Sequence, residues 1–589
     1  MNEQEEREKQ KVGDATIVEP GLISQFRAMA HVLLVSPQRS AIVWLSLGLV
    51  VVVGATAYAQ IELNAWNQPF YDAINRKDLS GVGRQLGVYG IIAGALLVLN
   101  VAQAWLNQMM KLKLREGLTR DLFAHWLAPK RAFMLSSAGE IGVNPDQRIH
   151  EDARHLSELS TDLGIGLFQA LLLFVSFAGV LWTLSENVIL PFDGKDVVIP
   201  GYMFWSALLY AGIASLISWR VGRPLVRINA ERYARESDLR FALVDVNEHS
   251  EAIAVYRGEA REEAKLQSEF ERLLAVVRKL VSATTRLTWV TAGYGWFTII
   301  APILVATPAY FGGNLTFGGL LMAAGAFTQV QQSLRWFVDN AGPIADWRAT
   351  LTRVAAFREA LLDMDGVQRG IGRIALESGA EETLVLDNVK VLSPAGASVL
   401  SEAHVDIAPG QHVLIAGAPG CGKTSLFRAF AGVWPWGAGQ ISLPLGSISY
   451  VPKRPYIPDG SLRDALGYPD PSSKYSNQEF ISALEQLGLT QLVPSLDVVA
   501  RWDHELTAPE QQALAFARLF LHKPRWVIID AALETLAPEA RRTFMANFQK
   551  ELPDSALISI SDVSAMGDFF RRVVNLKLDV SGQRLARPI

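Results

Sequence analysis

Long apolar runs separated by basic stretches fill the first half of the chain, and short strand-like runs alternating with helical ones fill the second. The apolar runs are 41–61, 86–105, 163–184, 202–219, 289–311 and 317–329. Most approach the ~20 residues that carry a helix across a bilayer, so about six membrane spans are expected, the last being the shortest. Lys and Arg crowd 111–154 and 220–286, whereas 185–200 holds only Lys195 and 312–315 holds none. That asymmetry predicts that both termini face the cytoplasm. The two basic segments are helical in pattern and too long to be turns. Spans are therefore expected to continue past the membrane surface and to end in loops able to touch a cytosolic domain. The stretch 188–200 reads as a small β-hairpin turning at Asp193-Gly194 on the outer face.

Ahead of the spans, residues 1–21 are rich in Glu, Gln and Lys and lack an apolar h-region, so they read as a solvated cytoplasmic tail. Residues 22–34 are amphipathic, with Phe26, Met29, Leu33 and Leu34 on one side, which predicts a helix lying on the cytoplasmic leaflet. Between 366 and 382 the composition turns to Gly, Arg and Glu, the mark of a linker. Beyond it, strand patterns such as Leu384-Val385-Leu386 and His412-Val413-Leu414-Ile415 alternate with helices. The expected fold is a polytopic α-helical membrane domain of six spans, 22–365, followed by an α/β P-loop nucleotide-binding domain, 383–589.

The chemistry concentrates in Gly417-Ala418-Pro419-Gly420-Cys421-Gly422-Lys423-Thr424-Ser425, which follows an apolar strand and opens a helix. This G-x-x-x-x-G-K-T spacing lets glycines turn the backbone so that N–H groups and a helix N-terminus converge on an oligophosphate. Lys423 is expected to reach the β- and γ-phosphates and Thr424 to ligate Mg²⁺.

Composition narrows the class. The chain has 589 residues, half of them hydrophobic and 19% charged, which suits a protein partly in a membrane. A net charge of −4 offers no broad basic surface for nucleic acid. Cys421 is the single cysteine, so an intrachain disulfide is impossible, and alkylation at that loop position is expected to hinder nucleotide binding.

This order of parts resembles a half-size ABC transporter of the exporter-like kind. In Trp66-Asn67-Gln68-Pro69-Phe70-Tyr71-Asp72-Ala73, Asn144-Pro145-Asp146-Gln147-Arg148-Ile149 and Glu251-Ala252-Ile253-Ala254-Val255-Tyr256 the membrane half is most similar to the SbmA/BacA peptide-transporter family, in the branch with a fused ATP-binding domain. Fatty-acyl half-transporters of the peroxisomal kind have similar segments. The resemblance implies an inner-membrane homodimer that binds ATP with Mg²⁺ and imports peptides or other bulky hydrophilic solutes. An ATP-driven lipid or acyl carrier, or a nucleotide-sensing scaffold that moves nothing, stands beside it.

The resemblance also implies groups that an ABC motor needs, and several are replaced. Trp526-Val527-Ile528-Ile529-Asp530 matches the strand whose aspartate holds Mg²⁺ through water. The next position, where the family has its catalytic glutamate, is Ala531. Glu534, three residues on, is expected to point elsewhere. Asp562 takes the place of the γ-phosphate histidine, Lys453 that of the glutamine that senses Mg²⁺ and water, and Ala537 that of a loop aspartate. The signature reads Leu506-Thr507-Ala508-Pro509-Glu510, where Pro509 has no N–H to offer a phosphate. No aromatic stands at the adenine position near Leu392–Pro394. Binding is thus expected to outlive hydrolysis, because each missing group of this kind removes on the order of 10²–10³ in rate. Lys453 and Asp562 flank the γ-phosphate position in the family fold and are expected to pair with each other.

Members of the family without an ATP domain are thought to use the proton gradient, which directs attention to ionisable residues at span edges. Glu62 is the leading proton-coupling candidate, followed by Asp72, Glu186 and Asp339. Asn100, Gln103, Gln329, Gln331 and Gln332 are expected either to line a polar cavity or to join helices by hydrogen bonds.

Overall fold

A computed structural model describes residues 22–136, 144–186, 189–192, 195–362, 372–378, 382–393, 395–562 and 569–580. The expected tail, the Asp193-Gly194 turn and most of the linker lie outside the described residues. The chain divides into two compact units: Met1–Ala124 with Asn144–Glu359, and His125–Val143 with Ala360–Ile589.

The helices of the first part of the chain are α1 (Leu22–Val35), α2 (Arg39–Asn75), α3 (Leu79–Trp126), α4 (Arg131–Ser136), α5 (Ala153–Ser185), α6 (Tyr202–Glu248), α7 (Ser250–Tyr256), α8 (Glu259–Phe311), α9 (Phe317–Asp339) and α10 (Ala341–Leu362). Among the described residues five are long and apolar enough to cross a membrane: α2, α3, α6, α8 and the helical stretch Pro145–Ser185 that contains α5. At 48 residues for α3 and 53 for α8, several run far beyond the bilayer, as expected.

The sixth expected span, α9, is shorter and more polar because its neighbours enclose it. It packs against α2 and α5 and buries Leu320, Ala323, Ala326, Phe327, Val330 and Gln331, a stripe at helical spacing. Small residues let the helices approach closely: a methyl group at Gly325 would strike Asn64 Oδ1, and Asn64 Nδ2 donates to the Met322 carbonyl at 3.2 Å.

Two features correct or extend the sequence reading. Helix α1 buries Gln25, Met29 and Val32, and Ser36 just beyond it is buried too, with Phe26 and Leu34 exposed. Thr352 of α10 donates to Gln25 Oε1 at 3.2 Å, and Phe26 lies 6.1 Å from Trp347. One side of the helix is therefore docked on protein, burying Met29, while Phe26 and Leu34 of the stripe expected to face lipid stay exposed. The Asn144–Ile149 motif opens a helical stretch whose Arg148–Asp152 segment is a π-turn. There the Asp152 carboxylate, 5% exposed, accepts from Arg148 at 2.9 Å and from Arg353 at 2.7 and 3.1 Å. A buried carboxylate needs such partners, and this one ties the start of α5 to α10. The hairpin forms as expected, β1 (Ile189–Phe192) pairing with β2 (Lys195–Val198) and Phe192 opposite Lys195.

The second unit is built on a curled ten-stranded sheet. Its strands are β3 (Ala375–Ser378), β4 (Leu384–Ser393), β5 (Gly396–Leu400), β6 (His404–Ile407), β7 (His412–Ala416), β8 (Gly437–Leu443), β9 (Ile448–Val451), β12 (Trp526–Asp530), β13 (Ala556–Ser561) and β14 (Arg572–Asp579), while β10 (Gly460–Ser461) and β11 (Val499–Ala500) pair separately. The order is β3-β8-β4-β5-β14-β7-β13-β12-β9, with β6 beside β4. Strands β14, β7, β13, β12 and β9 are parallel neighbours, and β7, β12 and β13 are almost wholly buried, as a two-sided apolar run requires. Strand β3 lies inside the stretch expected to be a linker and joins the sheet edge beside β8. From the first basic excursion, α4 belongs to this unit, with Arg428 over the Phe133 ring at 5.6 Å.

Candidate nucleotide site

The order β7-β13-β12 brings three strand ends together, and ligands of parallel sheets collect at such carboxyl ends. The loop Gly417–Thr424 leaves β7, Asp562 follows β13, and Asp530 ends β12. Helix α11 (Lys423–Phe430) starts at Gly422, whose φ of +94° and closeness to Ser398 Oγ leave no room for a side chain. No side chain caps α11, so its first N–H groups are available to an anion. Cys421 is 5% exposed, and burial pushes its thiol up, which makes it a slow target for the alkylation expected to report on this loop.

Lys423 is where the structure departs most from the sequence reading. Its Nζ donates to the Gly417 carbonyl at 2.5 Å and to Asp562 Oδ1 at 2.6 Å. The expected Lys453–Asp562 pair is absent: Asp562 takes the loop lysine as its partner, and Lys453 is exposed on the loop after β9. The reason is strand order, since β13 lies directly against β7 whereas β12 stands between β13 and β9.

Glu534 also turns toward this place, its Oε1 accepting from the Asp562 backbone N–H at 2.8 Å. Ala532–Thr535 is a 3-10 turn, in which residues three apart eclipse, so Glu534 comes beneath position 531 instead of pointing away. Asp530 is 3% exposed and hydrogen-bonded to Thr424; burial pushes its carboxyl up, partly offset by Thr424, Arg428, Lys453 and Lys423. Thr424 and Asp530 thus face each other as a Mg²⁺ pair would require. Ala531 is buried at φ +50°, its N–H held by the Ile560 carbonyl at 2.9 Å.

The signature stretch starts α12 (Ala508–His522), with Pro509 in its first turn. Thr507 and Glu510 form a capping box, Glu510 Oε2 accepting from the Thr507 N–H at 2.9 Å and its hydroxyl at 2.7 Å. Ala537 caps α13 (Pro538–Glu551) with no side-chain bond. Near Leu392 the fold supplies aromatics from elsewhere in the chain: Trp434 donates to the Leu392 carbonyl at 2.9 Å, and Leu392 donates to that of Trp436 at 3.0 Å. Their only linear sign is the Trp434-Pro435-Trp436 run just after the phosphate-loop helix.

In the membrane unit the expected carboxylates separate by role. Asp72 caps the start of α9, accepting from the Gly318 N–H and the Thr316 hydroxyl at 2.9 Å each. Asp339 pairs with Arg335 one turn away at 3.1 Å, and Glu186 is exposed at the end of α5. Glu62 is exposed on α2, hydrogen-bonded to Tyr58. Gln103 bonds Gln169 at 3.1 Å, joining helices, whereas Gln331 lines a small cleft with Ala211, Ser215, Tyr294, Arg335 and Val338.

A phosphate loop beside a buried aspartate, on a chain that also carries bilayer-length helices, defines a transporter half with its own nucleotide domain. Residues 29–311 match the family described as ABC transporter transmembrane region 2, and residues 400–534 match ABC transporter. An uncharacterized ABC transporter ATP-binding protein of Synechocystis is 30% identical over 79% of this chain and 70% of its own length. The inner membrane ABC transporter ATP-binding protein YddA of Escherichia coli is 26% identical over 85% and 88%, and the mouse lysosomal cobalamin transporter ABCD4 25% over 80% and 81%. The chain belongs to the ABC transporter family, as a membrane-embedded half-transporter with the helical domain first and the α/β nucleotide-binding domain second.

Proposed function

We propose that this chain works as a homodimer in a bacterial inner membrane, importing peptides or other bulky hydrophilic solutes, and that it binds ATP and Mg²⁺ without turning ATP over. The single observation that carries the loss of hydrolysis is Ala531: a methyl group stands where the attacking water needs a carboxylate, and Glu534, three residues on, is engaged by the Asp562 N–H. In phosphoryl transfer, positioning of water and stabilisation of charge supply most of the rate, so this replacement together with Asp562 and Pro509 reduces turnover to background.

The substrate class rests on the likeness of the Trp66–Ala73, Asn144–Ile149 and Glu251–Tyr256 segments to SbmA/BacA transporters. A relative named for cobalamin, itself a bulky solute, supports the same size class. Transport then needs another energy source, and Glu62, exposed on α2 with Tyr58 as its hydrogen-bond partner, is the proposed proton carrier. Purified dimer is expected to release phosphate from ATP no faster than its Lys423→Ala variant. Proteoliposomes with an imposed proton gradient are expected to take up a fluorescent peptide, and Glu62→Gln to abolish that uptake. Phosphate release that depends on Lys423 favours the competing reading, an ATP-driven lipid or acyl carrier, while absence of gradient-driven uptake rejects the import proposal.

A further inference from the structure

We infer that Asp562 holds Lys423 in the manner of a nucleotide's terminal phosphate, so that this site selects a nucleoside diphosphate over a triphosphate. The inference rests on the loop binding nucleotide at all, and the experiment below separates the two.

A phosphate loop cradles the α- and β-phosphates with backbone N–H groups, and its lysine extends to the β/γ junction. The backbone half of that arrangement is open here, because α11 has no side-chain cap and Gly422 keeps its left-handed turn. The lysine half is engaged. An ammonium has three protons to donate, and Lys423 directs one to the Gly417 carbonyl and one to Asp562 Oδ1. The pair is shielded on the lysine side, where the side chain is 14% exposed against 39% for Asp562.

Asp562 is also fixed in position. Its N–H is bonded to Glu534 at 2.8 Å, and its strand β13 is clamped between β7 and β12. Three carboxylates, Asp530, Glu534 and Asp562, thus border the far end of the phosphate track. A diphosphate ends at Lys423 and can share that ammonium with Asp562. A triphosphate carries its extra charge onward to the position Asp562 occupies and must either displace the aspartate or lie against it. Like charges brought together in a partly screened site amount to a discrimination on the order of tenfold to a hundredfold.

The test is an equilibrium titration of the purified full-length protein in nanodiscs with radiolabelled ADP and ATP, each with Mg²⁺. ADP is expected to bind at least about tenfold more tightly than ATP. Asp562→Asn and Asp562→Ser are expected to tighten ATP binding by about that factor while leaving ADP within about twofold, erasing the bias. The two variants differ in shape, so a packing defect in one does not mimic the effect in both. ATP binding as tight as ADP in the parent protein, or an unchanged ratio in both variants, overturns the inference and leaves the nucleotide site standing. Binding of neither nucleotide to any of the three proteins overturns the nucleotide site and the inference together.

Discussion

Two helix starts in the nucleotide unit meet the same physical problem and solve it in opposite ways. Helix α11 begins after Gly422 with no side-chain cap, so its orphan N–H groups face the place where a phosphate would lie. Helix α12 begins at the signature stretch, and there Glu510 folds back onto Thr507 while Pro509 removes one donor outright. The carboxylate of Glu510 supplies from within the chain the negative charge that an open helix start would take from a ligand. One helix start has no side-chain cap and the other is capped from within the chain, the contrast on which the proposed retention of binding without clamping rests.

The largest effect that tests this contrast lies at the open terminus. Lys423→Ala is expected to weaken binding of either nucleotide by about a hundredfold or more, since it removes a charge-assisted contact to phosphate. Thr507→Ala, at the closed terminus, is expected to leave affinity within about twofold, because Glu510 already takes the Thr507 N–H and hydroxyl and Pro509 has no N–H to donate. Comparable losses in both variants, read by the same titration, break the distinction.

Acidity sharpens it next. Mg²⁺ needs Asp530 ionised, and burial pushes that carboxyl above the ordinary aspartate range, with Thr424, Arg428, Lys453 and Lys423 opposing. The proton is then favoured in the folded state, so ionisation of Asp530 works against stability at neutral pH and is relieved as pH falls. The metal-dependent gain in nucleotide affinity should be present above the raised value and lost as pH falls through it, before an ordinary aspartate near ~3.9 would protonate. Titrations with and without Mg²⁺ from neutral to acidic pH check this; a gain that persists undiminished to about pH 4 rules out Asp530 as the controlling group.

Much of this was legible in the linear sequence, and what escaped did so for geometric reasons. The phosphate loop, the strand ending at Asp530 and the β1–β2 hairpin are local patterns whose residues are neighbours in the chain. The partner of Asp562 is not local: it depends on β13 lying between β7 and β12, an order that spacing does not reveal. That Glu534 meets the Asp562 N–H depends on a 3-10 turn, not a strand or an α-turn, following Ala531. Asp152 and Arg353 lie 201 residues apart, and nothing in either segment announces the other. The expected sixth span shows the converse limit: α9 is not among the helices apolar enough to cross a membrane, yet it packs against α2, α5, α6 and α8 and buries Gln331.

Smaller effects follow from the two helix boundaries themselves. At α12, Thr507→Ala is expected to cost about 1 kcal/mol of local stability, the usual worth of such a cap. Hydrogen exchange at 507–510 should quicken while the exchange of α11 does not; unchanged protection at 507–510 means the capping box contributes nothing.

Ala531 carries the smallest predicted effect and the most direct statement about chemistry. Its φ of +50° puts a Cβ in the left-handed region, which disfavours a side chain by roughly 1–2 kcal/mol, while glycine adds back about 0.5–1 kcal/mol of chain entropy. Ala531→Gly should therefore stabilise the nucleotide unit by about 0.5 kcal/mol, a rise of a degree or so in its melting transition. Ala531→Glu inherits the same strained backbone, held by the Ile560 carbonyl, and restores neither the open signature helix nor a free Lys423. It should hydrolyse ATP no faster than the parent. Restored turnover from that one change would mean the site is a single substitution from an active motor, and that neither Asp562 nor Glu510 obstructs it.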